Sequence, residues 1–196
     1  YRKHGCEGFS FPPIVSFGAN AGDPHHEPDD TALKSGDTVE ACLWNAGAGT
    51  RAVVLPAGAE LTEPEEPRTL DVRSVGGYLL EPDGAVIRAG LLAEIAPASD
   101  LWLLDAHTAY LGADRPIATP YATCFAVREV LDYDVRALRS WVRDHRIGTL
   151  EIKKRGLDID PAQLRTRLKP KGPGVATLIL ARTLDGARAI VAERLR

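Results

Sequence analysis

The sequence contains no methionine, and only three cysteines, Cys6, Cys42 and Cys124. A chain without methionine is unusual for a natural reading frame, and the expectation is a fragment of a longer protein. The cysteines lie far apart and form no C-x-x-C pair, which argues against a disulfide framework and for reduced thiols in the cytoplasm. No run reaches the ~18 apolar residues of a membrane span, so no membrane partner is expected. The opening Tyr1-Arg2-Lys3-His4-Gly5 lacks the apolar stretch of a signal peptide. Aromatic residues are scarce, and Trp141 is the only one after Tyr133. Stacking on unpaired bases is therefore weakly supported in that part of the chain.

What is present is a 44% hydrophobic chain of 196 residues, enough for one large domain or one domain with an appendage. Its net charge of −3 hides a strong polarity. Residues 1–135 hold 9 Lys/Arg against 21 Asp/Glu, whereas residues 136–196 hold 15 against 6. Either the basic end meets a polyanion or the acidic part covers it within one fold.

Residues 1–37 are rich in turn signals, and only Ile14 to Phe17 reads as a strand. Strands are predicted over 38–44, 51–55 and 75–80, with 56–67 an exposed connection containing three prolines and four glutamates. Val86, Ile87, Leu91 and Ile95 predict a helix over 85–96. Leu101–Leu104 and Tyr110-Leu111 are apolar patches between turns, and Asp105-Ala106-His107 reads as turn residues rather than metal ligands.

From Cys124 the pattern sharpens. A strand over 125–131 leads to Asp134, an N-cap for a helix over 135–145 that Gly148 is expected to stop. Thr149–Arg155 alternates, with Leu150, Ile152 and Lys154 on one face and Glu151, Lys153 and Arg155 on the other. Asp160-Pro161 opens a helix to about Leu168. Val175–Ala181 reads as a buried central strand, and Asp185-Gly186 as the turn of a terminal hairpin. The fold class is α/β (α+β): a β-α-β-α-β-β unit with a mixed sheet and terminal hairpin, preceded by a loop-rich arm. Three segments are expected, at 1–37, 38–123 and 124–196.

In the helix from Val135, Arg136, Arg139, Arg143 and Arg146 form one stripe, about 110° from the apolar face. Lys153, Lys154 and Arg155 follow on the next strand, then Arg165, Arg167, Lys169 and Lys171. The turn Lys169-Pro170-Lys171-Gly172-Pro173-Gly174 can bring backbone N–H groups and ammoniums to phosphate together. The nine candidate nucleic-acid contacts are Arg139, Arg143, Lys153, Lys154, Arg155, Arg165, Arg167, Lys169 and Lys171; the alternative is a solvated charged face.

Several longer motifs carry a resemblance. The run from Tyr78 through Glu81-Pro82-Asp83-Gly84 to Gly90, Thr119-Pro120-Tyr121-Ala122, the run Ile147 to Gly156 followed by Asp158-Ile159-Asp160-Pro161, and Ala176 to Leu180 are similar in order and spacing to actinobacterial class I SAM-dependent methyltransferases. The likeness covers about residues 36–196 and falls in that family's C-terminal, THUMP-like region. It implies an accessory region that binds RNA, works beside a methyltransferase catalytic domain in the same chain, and is not catalytic alone. SAM is implied for the full-length enzyme and no cofactor for this chain, whose Gly47-Ala48-Gly49 imitates a cofactor turn only superficially. A structural docking domain for the methyltransferase is an alternative.

Residues 1–37 instead resemble pita-bread metallopeptidases of the Xaa-Pro aminopeptidase type, through the segments His4 to Phe11, Ile14 to Ala21 and Pro24 to Pro28. The resemblance gives His25 a role beside a two-metal centre. That centre needs several carboxylates, yet Cys42 and Val53 stand where the family places its first two ligands. The expectation is a non-functional remnant and no bound metal, with a metallopeptidase remnant that retains hydrolase activity through His25 as the alternative reading. Gly36-Asp37-Thr38-Val39, a step shared by both families, marks the expected point of fusion.

Overall fold

The structure, a computed structural model, describes residues 15–17, 39–45, 49–54, 57–96 and 101–195. The chain divides into two compact units.

The first comprises Tyr1–Thr69, Pro82–Pro97 and Thr119–Ala122. Its antiparallel sheet runs in the order β1 (Val15–Phe17), β2 (Val39–Asn45), β3 (Gly49–Val54), β4 (Ala59–Thr62). Of the expected loop-rich arm, the described part is β1 alone. The supposed exposed connection holds β4, because Ala59 to Thr62 alternate half-buried and exposed positions as an edge strand does. The expected helix over 85–96 is also corrected. Asp83 caps α1 (Gly84–Arg88) by accepting from the Ala85 N–H at 2.8 Å. Gly90 then takes a left-handed φ of 72° and ends it, leaving a 3-10 turn at Leu92–Glu94. Val86, Leu91 and Ile95 are buried all the same.

The second unit comprises Leu70–Glu81, Ala98–Ala118 and Thr123–Arg196. Its seven strands are β5 (Tyr78–Pro82), β6 (Trp102–Asp105), β7 (Thr108–Ala113), β8 (Ala122–Asp132), β9 (Ile147–Arg155), β10 (Gly174–Thr183) and β11 (Gly186–Arg194). They lie in the order β6-β7-β5-β8-β11-β10-β9. The β9–β10 pair is parallel, while β10–β11, β11–β8, β5–β7 and β6–β7 are antiparallel. With α2 (Val135–Asp144) between β8 and β9, and α3 (Pro161–Leu168) between β9 and β10, this is the expected β-α-β-α-β-β order. Residues 70–81 and 98–118 add three strands to the same sheet.

The alternation of β9 and β10 divides the apolar residues into two layers. Leu150, Ile152, Leu178 and Leu180 meet Leu138 and Val142 of α2 and Leu164 and Leu168 of α3. Ile179 and Ala181 face the other way, onto Leu79, Trp102, Leu104, Tyr110 and Phe125. Each fully buried large aliphatic side chain is worth about 1.5–3 kcal/mol. The sheet curls around this second cluster, bringing β6 and β7 to β10 and β9; the Leu184 N–H donates to Leu104 O at 2.6 Å. Val175 departs from the buried-strand expectation. It shares the face of Thr177 and Ile179 but lies beyond the cluster, 74% exposed. Gly148 does not stop α2 either. The helix closes at His145 and Arg146, whose φ is 53°, and Gly148 lies within β9.

Candidate nucleic-acid interface

The cationic residues after Asp134 are positioned by two capped helices. The Asp134 carboxylate accepts from the Ala137 N–H at 2.7 Å and starts α2, whose Leu138 and Val142 are buried. Burying that face turns Arg136, Arg139 and Arg143 to one flank. Asp160 accepts from the Ala162 and Gln163 N–H groups, and Pro161 fills the first turn of α3, where a missing N–H costs nothing. Leu168 ends α3 in the core, and Lys169 follows with a left-handed backbone, φ 52° and ψ 57°.

The turn from Lys169 to Gly174 is pinned against the end of α2. The Gly174 N–H donates to Arg146 O at 3.0 Å. At Gly148 a Cβ would sit 1.8 Å from Gly172 O, so only glycine permits that approach. The result is a cavity of about 520 Å3. Arg136, Arg139, Ser140 and Arg143 of α2 form one wall; Leu168, Lys169 and Lys171 form the other.

Arg143 is held in place. Its Nε donates to Asp144 Oδ1 at 3.0 Å, one of its terminal nitrogens donates to Ser140 Oγ at 2.7 Å, and Ser140 donates to Asp144 Oδ2 at 3.2 Å. The hydrogen bond from Arg143 is the main reason that the Asp144 carboxyl lies below its ordinary range, aided by that from Ser140. Among the described residues Arg136, Arg139, Lys169 and Lys171 have no carboxylate partner.

The nine candidates do not share one surface. Arg139, Arg143, Lys169 and Lys171 meet at the cavity, joined there by Arg136. Lys154 is exposed on β9 and Arg167 on α3, both outside the lining, and the Arg165 Nε donates to Leu150 O at 3.1 Å. Lys153 and Arg155 lie on the face of the sheet away from the helices. Lys153 pairs with Glu81 at 2.7 Å, both side chains about one-fifth exposed, and comes within 3.8 Å of Glu151. The Arg155 guanidinium lies 5.3 Å from the centre of the Tyr110 ring. Burial pushes the Tyr110 phenol well above its ordinary pKa; Glu81 raises it further and Arg155 partly offsets both. These two cations serve the second core and not the cavity.

Arg136 was legible in the helical stripe. The role of Glu81 was not, because only the curl of the sheet brings β5 to β9. Trp141 sits outside the lining, half-buried, with His145 stacked on it at 4.3 Å and its indole N–H donating to Glu129 at 2.8 Å.

Asp105 behaves as a turn residue, its Oδ1 accepting from the His107 N–H at 2.8 Å. Among the described residues no group of three His, Cys, Asp or Glu could hold a metal. His25 and the Cys42 side chain lie outside the described residues, while Val53 occupies β3 as an apolar residue. Gly47-Ala48 is likewise outside them, and Gly49 opens β3 opposite Asn45. The strands on either side of this segment, β2 and β3, pair antiparallel. Among the described residues no helix is long and apolar enough to cross a membrane.

Residues 122–194 match the family described as THUMP domain-like, and residues 1–48 match metallopeptidase family M24. Two curated relatives are uncharacterized S-adenosylmethionine-dependent methyltransferases of Mycobacterium tuberculosis, strains H37Rv and CDC 1551. Each is 40% identical over 157 residues, which is 78% of this chain. The chain spans 43% of their length. A crystal structure of a protein from Porphyromonas gingivalis W83, assigned as a methyltransferase, superposes with a TM-score of 0.54 at 20% identity, over 65% of this chain and 31% of that one. At that identity the likeness is one of fold. The motif resemblance therefore holds: a THUMP-like segment in a run similar to SAM-dependent methyltransferases, with a short metallopeptidase-like segment before it.

Proposed function

We propose, from the THUMP-like character of residues 122–194, that this chain is an RNA-binding accessory region of a SAM-dependent methyltransferase and performs no chemistry alone. The observation that carries the reading is the cavity between α2 and the turn after α3. Five cations line it, and Asp144 is the one carboxylate paired with any of them among the described residues. Unpaired cations in a concave site gain by exchanging the counterions of a nucleic-acid backbone for themselves, a gain that is indifferent to base sequence. The THUMP-like region then holds RNA by its phosphates while a separate catalytic region supplies methyl transfer.

The test is RNA affinity against salt. Three to four phosphate contacts give a log–log slope of about −2 to −3 for a single strand. Binding that is absent at ~50 mM salt, or that ignores salt, overturns the reading. A docking role has one observation in its favour: the match covers only 43% of the relatives' length, so a further region exists in them for the cations to meet. Arg139→Glu separates the two. Weakened RNA binding supports the accessory role; weakened association with a relative's remaining region, with RNA affinity untouched, selects docking.

A further inference from the structure

Lys169 occupies a position where glycine is the favoured residue. A left-handed backbone crowds a Cβ against the following carbonyl, and helices commonly end on glycine in that conformation. Among the described residues only two that are not glycine have positive φ, Arg146 and Lys169. Both are basic, and each follows one of the helices that wall the cavity. The two differ in use. The Arg146 carbonyl accepts the bond that pins the turn, whereas Lys169 itself lines the cavity.

A cation near a helix C-terminus is favourable without any ligand, because it opposes the negative end of the helix dipole. In α3 that role is already filled by Arg165 and Arg167 in the last turn. Lys169 has no carboxylate partner among the described residues. Among the described residues its charge therefore meets no carboxylate that would offset its strained backbone.

The opposite wall has a matching periodicity. Arg136, Arg139 and Arg143 recur every three or four residues along α2, which spaces them about 5–6 Å apart, comparable with the step between neighbouring phosphates of one strand. The floor is apolar at Leu168, and no aromatic ring lines the cavity. Bases thus find nothing to stack on there, which leaves the backbone phosphates as the groups the lining can hold.

We infer that the cavity between α2 and the α3–β10 turn is a clamp for consecutive phosphodiesters of a single RNA strand, with Lys169 held in a strained backbone as its central contact. This rests on the RNA-binding reading and adds to it the strand, the atoms recognised and the residue at the centre. Lys169 retains at the end of α3 a charge that glycine would forfeit.

The experiment uses the full chain and a short fluorescein-labelled oligouridylate, with thermal unfolding measured alongside binding. Lys169→Gly relieves the backbone and removes the charge, so it is expected to melt at the same or a higher temperature. At ~50 mM salt it should bind RNA several-fold more weakly, with the salt slope reduced by about 0.7. Lys169→Arg should restore both affinity and slope. Arg182→Ala, an exposed cation outside the cavity, should leave binding unchanged. Lys169→Gly that binds as tightly as the wild type overturns the clamp while leaving RNA binding intact. Lys169→Gly that loses affinity only together with a lower melting temperature also overturns it, because Lys169 would then be structural. Failure of the wild-type chain to bind the oligouridylate at all removes the broader reading and this one with it.

Discussion

At the C-terminal end of α2, Arg143 and Asp144 decide between them how much of the cavity's charge is available to a ligand. Asp144 keeps its proton less readily than an ordinary carboxyl, chiefly because Arg143 donates to it. A depressed folded pKa means that the pair's contribution to stability is present above the unfolded carboxyl value of about 3.9 and is lost as pH falls through the lower, folded value. Above that range the pairing is constant and Arg143 is partly spoken for. Asp144→Asn is therefore expected to tighten RNA binding at low salt by about two- to threefold, one more counterion's worth, and to leave the unfolding temperature at neutral pH nearly unchanged. Fluorescence anisotropy beside calorimetry checks both; unchanged affinity would mean that the Asp144 pairing takes nothing from the cavity. Single residues were legible in the sequence wherever their neighbours were local. The stripe of Arg136, Arg139 and Arg143 follows from helical periodicity alone. Lys153, on the strand after the stripe, looked like a further nucleic-acid contact because its partner, Glu81, is remote in the chain and reaches it only when the sheet curls.

Among the elements, α2, α3 and the β10–β11 hairpin could be read directly, because each begins or turns on a local signal. The Asp134 and Asp160 carboxylates both cap as expected, and Asp185-Gly186 turns the hairpin. Asp160→Ala should cost about 1 kcal/mol, visible as a lower urea midpoint with an unchanged slope; an unaltered midpoint would show that Pro161 alone suffices to start α3. The elements that were misread lack such signals. β4 is a short edge strand in a stretch dominated by proline and glutamate, and its pairing with β3 is a tertiary fact. The helix expected over 85–96 had its stop at Gly90 overlooked, since the apolar spacing continues past the glycine into a 3-10 turn that buries the same face.

At the scale of the whole molecule, the matched THUMP-like segment carries four strands and two helices, and the sheet extends over β5, β6 and β7 beyond it. Nothing in residues 70–118 announces that membership, which rests on register with strands far along the chain. Phe125, Ile179 and Ile190 are completely buried against side chains from those three strands. Residues 124–196 expressed alone should accordingly expose that cluster, bind a hydrophobic dye and unfold without a sharp transition. Residues 70–196 should unfold cooperatively. Equal cooperativity in the two would mean that the first three strands are dispensable. The order of the strands has one more effect. β10 and β11 lie between β8 and β9, yet they are encoded after both. Synthesis delivers the strands that link β8 to β9 last, so a chain emerging from the ribosome carries β9 unpaired and one side of β8 open until residues 174–194 arrive to join them. The hairpin works as a keystone, and the nascent protein is most exposed to misassembly just before it is set in place.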